Sequence, residues 1–345
     1  MRILAALLVV LLLGGCATPK TRYPKASSVD IDTQAMATRS YNLVYRKVAD
    51  IAYPIFTESV DKCKSRSITQ LEYFYLQDYT GQDKEIMRRA FHLENLPQIS
   101  FVPTRSCYYA SGLRNDDEIV KINSTPFSSA DKNEMMKWGK GTELLIRHLD
   151  GEEEIIVLNC ADTERCNVPI RIIDSNEPDA YVANDTIYIT AGMLSFVQND
   201  DELALVISHE LAHITMDHID AKTWNSFVGG TIGFAVDVLA GVGGYNSRGY
   251  FTDKLSQAGQ NYGSQDFERE ADYVALYLMA KAGYKVCGAA NFWQKMSRLY
   301  PQSVEPSLIS THPSSTERYN AMAMTISEIQ TKQQQNLLLE PETKK

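Results

Sequence analysis

Two histidines and a glutamate lie within one short stretch near the middle of the chain, His209-Glu210-Leu211-Ala212-His213. On an α-helix, side chains four positions apart share one face, so both imidazoles can bind a single metal ion. Glu210 lies one position round the helix, where its carboxylate can take a proton from a water molecule that the metal activates. The pattern predicts zinc-dependent hydrolysis of peptide bonds, although the same pattern also occurs by chance in unrelated helices.

The residues before this motif favour a buried helix. Residues 199–202 form a polar and acidic helix start, and residues 203–207 are continuously apolar. A helix that is apolar over most of its surface is buried. Polar histidine and glutamate side chains in such a helix need partners, and a metal ion would satisfy them.

A catalytic zinc ion has three protein ligands, so a further ligand must come from elsewhere in the chain. A second predicted helix carries Glu268, Glu270 and Asp272. Glu268 and Asp272 are four positions apart and share a face, so one can bind the metal while the other hydrogen-bonds a ligand imidazole. Glu270 points about 160° away from Glu268, so we prefer Glu268 as the ligand. Without the first motif, this cluster would be typical of a solvated helix start.

Together the two motifs resemble the zinc metallopeptidase family that includes the CAAX prenyl protease, the mitochondrial protease Oma and the periplasmic BepA-like proteases. The resemblance covers residues 173–324. It implies a mainly helical gluzincin domain with one Zn²⁺ per chain, bound by His209, His213 and Glu268. It also implies that Glu210 is the general base and that Asp272 supports a ligand histidine.

Thr311-His312-Pro313 resembles a segment that, in periplasmic members of this family, places its histidine on the zinc as a fourth ligand. His312 is therefore a candidate ligand that blocks the water position at rest; an ordinary loop histidine is the alternative. Arg318 is a candidate partner for a carboxylate of the site. His218 lies five residues beyond His213 and is predicted not to bind the metal.

The element before the motif helix is predicted to be a β-hairpin, with strands at residues 180–183 and 186–190 and a turn between them. An edge strand beside the cleft could hold an extended substrate by backbone pairing. An ordinary hairpin is the alternative.

Residues 68–165 are predicted to form a separate β-rich unit, with a strand at 118–123, a helix at 128–138 and a hairpin around Asp150-Gly151. Residues 112–123 resemble part of a PDZ domain of bacterial envelope proteases. The resemblance implies binding of extended peptide ends by strand addition. Whether the groove is open or only structural is not decided by the sequence.

The amino terminus is predicted to be a lipoprotein signal peptide, residues 1–15, followed by a lipidated Cys16. An uncleaved anchor is the alternative. Several acyl chains on one cysteine anchor a protein stably to a bilayer. The residue after Cys16 is an alanine, which resembles the sorting pattern for the outer membrane in Gram-negative bacteria, so the protein is expected to face the periplasm there.

The charge balance argues against a nucleic-acid partner. The 34 lysines and arginines against 43 aspartates and glutamates give a net charge of −9. Beyond Cys16, five cysteines remain, so at least one is free or pairs between chains. Cys160 and Cys166 are close enough in sequence to bridge, but spacing alone leaves the pairing open. The five are Cys63, Cys107, Cys160, Cys166 and Cys287.

The sequence predicts an α+β protein with several parts. They are a tether at 16–40, a helical segment at 41–67, the PDZ-like domain at 68–165, a zincin peptidase domain at 170–329 and a polar tail at 330–345. The apolar residues 224–244 either pack on the active-site helix or form a membrane-facing hairpin or lid.

The expected function is cleavage of unfolded or misassembled envelope proteins in quality control. The alternative is a mostly non-cleaving periplasmic chaperone or assembly factor that uses the same cleft and the PDZ-like unit.

Overall fold

The computed structural model describes residues 30–69, 71–127, 139–160, 163–218, 264–299 and 316–342. Within these ranges the chain mixes helices and sheets, which confirms the predicted α+β class. The helices are α1 (Ile31–Glu58), α2 (Gly81–Phe91), α3 (Cys107–Ala110), α4 (Ala191–Phe196), α5 (Asp200–Thr215), α6 (Ser264–Lys281), α7 (Ala289–Leu299) and α8 (Thr316–Gln334). The strands are β1 (Arg66–Ile68), β2 (Glu72–Phe74), β3 (Gln98–Phe101), β4 (Glu118–Ile122), β5 (Thr125–Pro126), β6 (Glu143–Arg147), β7 (Glu153–Val157), β8 (Glu164–Cys166), β9 (Ile170–Ile173), β10 (Ala180–Ala183) and β11 (Thr186–Thr190).

Helix α1 begins at Ile31, earlier than the predicted start at residue 41. The side chain of Asp30 caps it by accepting a hydrogen bond of 2.7 Å from the backbone N–H of Thr33. Residues 31–40, assigned from their polarity to a tether, are therefore helical. The second half of α1 is buried in the main core through Val48 and Ile55, among other apolar side chains.

The β-rich unit contains an antiparallel sheet of strand order β2-β3-β4-β6-β7, with β5 paired to β4. Strand β4 and the β6–β7 hairpin confirm the predicted strand at 118–123 and the hairpin around Gly151, which has a positive φ of 87°. Ile99, Leu113, Ile119 and Leu144 lie in its own apolar core. The helix predicted at 128–138 falls outside the described residues.

The other half of the molecule packs α1, α5, α6, α7 and α8 around a sheet of order β10-β11-β9. Strands β10 and β11 are antiparallel and joined at Asn184 and Asp185, both with positive φ, which confirms the predicted hairpin. Helices α5 and α6 lie against each other in the core of this half. The two motifs therefore meet at the α5–α6 contact.

Two disulfides, Cys63–Cys166 and Cys107–Cys160, correct the idea that Cys160 and Cys166 bridge each other. Cys107–Cys160 closes the β-rich unit, whereas Cys63–Cys166 joins the segment after α1 to β8. Cys287 is free and exposed. The pairs join residues far apart in sequence, which is why spacing did not reveal them.

Side chains also connect the β-rich unit to the helices around it. Arg46 of α1 donates to both carboxylate oxygens of Asp116, at 2.9 and 2.6 Å. Arg105 donates from Nη1 to the carbonyl oxygen of Ala282, directly after α6, at 2.6 Å. The β-rich unit is therefore bonded to α1 and to the end of α6.

The carboxyl-terminal segment is packed rather than frayed, which corrects the predicted polar tail for residues 330–342. Helix α8 extends to Gln334, and residues 335–342, here called the C-terminal strap, turn back over the helices. The Glu340 carboxylate lies 2.8 Å from Lys62 Nζ and 2.7 Å from Lys281 Nζ. Leu339 packs against the main core.

Among the described residues, no helix is both long and apolar enough to cross a membrane. The predicted signal peptide and lipidation site at Cys16, residues 224–244 and the Thr311-His312-Pro313 segment lie outside the described ranges.

Candidate metal centre

Helix α5 places the first motif in the middle of the core. Its start is fixed by Asn199, whose side chain accepts a hydrogen bond of 3.0 Å from the backbone N–H of Glu202. Acidic residues in the first turn are favourable because the amino end of a helix carries partial positive charge. From Leu203 to Ile214 every side chain of α5 is buried, including His209, Glu210 and His213.

Three possible metal donors converge between α5 and α6. The Nε2 atoms of His209 and His213 are 3.2 Å apart. Glu268 Oε2 lies 3.3 Å from His209 Nε2, and Glu268 Oε1 lies 3.5 Å from His213 Nε2. Donors at about 2.0–2.1 Å from a tetrahedral zinc ion are about 3.3–3.4 Å from each other. The three side chains therefore suit a zinc ion in donor chemistry and in burial, with each histidine Nε2 closest to a different oxygen of Glu268.

Asp272 and Arg318 contact this donor group on the side of His209 Nδ1. Asp272 Oδ1 lies 3.1 Å from His209 Nδ1, so the ring N–H at Nδ1 donates to the carboxylate and leaves Nε2 for a metal. Arg318 of α8 donates to both oxygens of Asp272, at 2.7 and 2.8 Å, and its Nη1 lies 3.4 Å from Glu268 Oε2. The proposed pairing of Arg318 with a site carboxylate is confirmed.

The electrostatics of the group favour positive charge at its centre. Burial lowers the pKa of His209, but the adjacent carboxylates of Asp272 and Glu268 outweigh burial and raise that pKa to about 9. Burial also raises the pKa of Asp272, but Arg318 outweighs it and holds this pKa below its usual range. The negative charge of Asp272 beside the His209 imidazole favours a divalent cation at the donor group.

His218 also contacts this group, although helical spacing predicted no role for it. Its Nδ1 lies 3.0 Å from His213 Nδ1, and its Nε2 lies 3.1 Å from Glu270 Oε2. As predicted, His218 is not part of the donor group; it contacts His213 because α5 ends at Thr215 and Asp217, with φ of 58°, turns the chain back. Aspartate tolerates this left-handed conformation better than most residues, so Asp217 next to His218 was the usable sequence signal.

The remaining predicted site residues are placed as follows. Glu210 is buried on α5 next to His209, close enough for its charge to raise the pKa of Arg318. Glu270 is about half exposed and lies outside the donor group, as predicted from its direction on the helix. His312 and Cys16 lie outside the described residues.

The profile of peptidase family M48 matches residues 152–326, which is more than half of the chain. The chain belongs to peptidase family M48. Among its M48 relatives, metalloprotease YcaL of Escherichia coli is 28% identical over 137 residues, which cover 40% of this chain and 53% of YcaL. The mitochondrial metalloendopeptidase OMA1 of Saccharomyces cerevisiae is 26% identical over 152 residues, covering 42% and 43% of the two chains. The beta-barrel assembly-enhancing protease of Yersinia pestis is 22% identical over 182 residues, covering 49% and 36%.

Membership of M48 confirms the resemblance inferred from the two motifs. The aligned region spans about half or less of each of these three relatives. M48 peptidases depend on a metal, and the relatives from Saccharomyces cerevisiae and Escherichia coli are named as a metalloendopeptidase and a metalloprotease. His209, His213 and Glu268 are the group of metal-binding type that the described residues bring together.

Proposed function

We propose that this M48 protein is a zinc-dependent endopeptidase that cleaves unfolded or misassembled envelope proteins in quality control. The observation that carries the proposal is the donor group of His209, His213 and Glu268, with nitrogen and oxygen atoms 3.2 to 3.5 Å apart and fully buried. Zinc takes this combination of ligands in catalytic sites and keeps a fourth position open.

When bound, the zinc ion would lower the pKa of a water molecule and polarise the scissile carbonyl. Glu210 takes the proton from that water molecule and later passes it to the leaving amine as general acid. His209 is kept in the required tautomer by Asp272, which accepts its Nδ1–H. Arg318 fixes both oxygens of Asp272, so the orientation of the imidazole is set before substrate arrives.

The variant Glu210→Gln tests this assignment, because glutamine keeps the shape of glutamate but cannot take up the proton. We expect unchanged zinc content and a loss of cleavage of at least about 10²-fold, the usual contribution of a general base. Cleavage is followed on gels with an unfolded outer-membrane β-barrel protein as substrate, with and without a zinc chelator.

Glu317→Gln is the matched control, since Glu317 is mostly exposed and pairs with Arg269 rather than with the donor group. This control should cleave like the wild type. Full proteolysis by Glu210→Gln would rule out the assigned base. Chelator-resistant retention of the substrate in soluble form, without cleavage by the wild type, would favour the chaperone alternative.

The envelope location is proposed on two grounds. Disulfides persist in oxidising compartments, and the protein has two of them. The relative from Yersinia pestis is named for enhancing β-barrel assembly, and bacterial transmembrane β-barrels lie in the outer membrane. Lipidation of Cys16 would supply the membrane anchor. Fatty-acid labelling in a Gram-negative host should disappear in Cys16→Ala and persist in Cys287→Ala; labelled Cys16→Ala protein would refute the anchor.

For the β-rich unit we propose a PDZ-like domain that binds the ends of extended peptides. Its antiparallel sheet, with edge strands β2 and β7 on the described path, supports strand addition as the mode of binding. Binding of fluorescent peptides with free carboxyl ends should exceed binding of the same peptides with amidated ends. Equal binding of the two would contradict recognition of the terminus.

We also propose that His312 binds the zinc as a fourth ligand at rest. Arg318, six residues later in the sequence, contacts Glu268 of the donor group. Six residues of extended chain span at most about 22 Å, so the chain length allows His312 to reach the donor group. The variant His312→Ala should keep its zinc and show raised basal cleavage. Unchanged cleavage with unchanged metal coordination would contradict the gating role.

A further inference from the structure

We infer that His218, backed by Glu270, is the positioning residue for the ligand His213. The inference rests on the proposed zinc site and adds a residue outside both sequence motifs. Each of the two ligand histidines then has its own supporting pair of side chains. Asp272 and Arg318 support His209, whereas His218 and Glu270 support His213.

The direction of each hydrogen bond follows from the position of the metal donors. His213 Nε2 faces the donor group, so its lone pair is used there and the ring proton is on Nδ1. That N–H donates to His218 Nδ1 over 3.0 Å, which requires His218 to be neutral with its own proton on Nε2. The Nε2–H of His218 then donates to Glu270 Oε2 over 3.1 Å. Every donor in this chain has an acceptor.

His218 is held in place by its surroundings. It is almost completely buried, and its ring stacks on Phe267 of α6 at a centroid distance of 4.8 Å. Asp217, which makes the left-handed turn before it, forms an ion pair with Lys64. A ring that is held by stacking and by the turn before it can fix the direction of the imidazole from which it accepts a hydrogen bond.

His218 lies on the wrong side of His213 to be a ligand itself. The two rings meet through their Nδ1 atoms, whereas the donor group gathers at His213 Nε2, across the ring. The function left for His218 is to set the tautomer and orientation of His213. Partners of this kind typically change metal affinity by about 10- to 100-fold when they are removed.

The two supporting pairs differ in charge and in burial. Asp272 and Arg318 are both buried and charged, whereas His218 is neutral and Glu270 is about half exposed. His209 is therefore held by a negatively charged acceptor, Asp272. His213 is held by a neutral acceptor, His218, whose own partner Glu270 reaches the protein surface. We expect removal of the His218 side chain to lower zinc affinity while leaving the three metal donors in place.

The test is the dissociation constant for zinc alone, measured by competition with a chromophoric chelator. His218→Ala should raise this constant by about 10- to 100-fold. Added imidazole, which can occupy the space left by the ring, should restore part of the affinity. His148→Ala is the matched control: both of its ring nitrogens also contact carboxylates, Asp117 and Glu154, but in the β-rich unit. Its zinc affinity should equal that of the wild type.

A second variant keeps the inference testable if His218→Ala does not fold. His218→Gln preserves an acceptor for the His213 N–H and should bind zinc more tightly than His218→Ala. If only His218→Gln folds, its zinc affinity should lie within a few-fold of that of the wild type. Unchanged zinc affinity in His218→Ala, or a loss of more than about 10-fold in His218→Gln, would overturn the inference, even if thermal stability falls. A wild-type protein that does not bind zinc would instead refute the proposed function, so the two failures are distinguishable.

Discussion

At the scale of single residues, Arg318 decides whether the metal centre can be buried. Glu210, Glu268 and Asp272 are all buried, and unpaired carboxylates inside a protein are very unfavourable. Arg318 bonds both oxygens of Asp272, lies 3.4 Å from Glu268, and stacks over the ring of Trp293 at 5.0 Å. One guanidinium thus supplies positive charge to several acids.

Replacing Arg318 with alanine should therefore destabilise the protein. Removal of one partner of a buried ion pair costs about 3–5 kcal/mol, because the remaining charge stays buried. Urea unfolding of the chelator-treated protein measures the loss. Arg318→Lys should be intermediate, since lysine keeps the charge but cannot bind a carboxylate through two nitrogens. Arg88→Ala, which breaks an exposed pair with Glu85, should leave the unfolding midpoint close to that of the wild type. A wild-type unfolding midpoint for Arg318→Ala would contradict this role.

Residues whose roles follow from helical spacing were predictable. His209, His213, Glu268 and Asp272 were identified because each pair sits on one face of a continuous helix. His218 could not be identified in this way, because the helix ends between it and His213. The distinction is physical: a helical projection is valid only as far as the backbone remains helical.

At the scale of elements, the C-terminal strap joins parts of the fold that are distant in sequence. Glu340 contacts Lys62, which follows α1, and Lys281, the last residue of α6. Burial raises the pKa of Glu340, but the two lysines outweigh burial and lower it below its usual 4.5. The sequence pattern missed this docking because the strap is held by charges from other elements, whereas the β-hairpins depend on local turns.

The strap should detach in acid. Because the pKa of Glu340 is lowered in the folded state, its contribution is complete above the unfolded value near 4.5 and is lost as the pH falls through the lowered value. Hydrogen exchange of the amides in residues 335–342 should show protection at neutral pH and its loss in acid. Glu340→Gln should lack much of that protection already at neutral pH. Equal protection in this variant would show that the ion pairs do not hold the strap.

At the scale of the whole molecule, the two disulfides stabilise different halves. Cys107–Cys160 closes the β-rich unit, and Cys63–Cys166 ties the chain after α1 to β8, beside the main core. Neither pair could be predicted, because the cysteines meet only when separate elements pack together. The family and the α+β class were predictable, since they depend on local motifs and periodicity.

Removing the bridge in the β-rich unit should lower stability and leave zinc binding unchanged. The double variant Cys107→Ser/Cys160→Ser is expected to lose about 2–5 kcal/mol, the usual effect of a native disulfide. Urea unfolding under oxidising conditions measures this loss, and chelator competition measures zinc affinity. A large change in zinc affinity would contradict a purely local role of this bridge, and an unchanged unfolding midpoint would contradict its stabilising role.

The bond from Arg105 to the carbonyl of Ala282 gives this architecture a mechanical property. Helix α6 carries Glu268 about 20 Å from that carbonyl, at the rise of an α-helix. A helix transmits displacement along its axis, because its hydrogen bonds keep its length nearly constant. Tension on the β-rich unit therefore has two outcomes: the Arg105 bond breaks, or α6 slides and the spacing between Glu268 and the histidines of α5 changes.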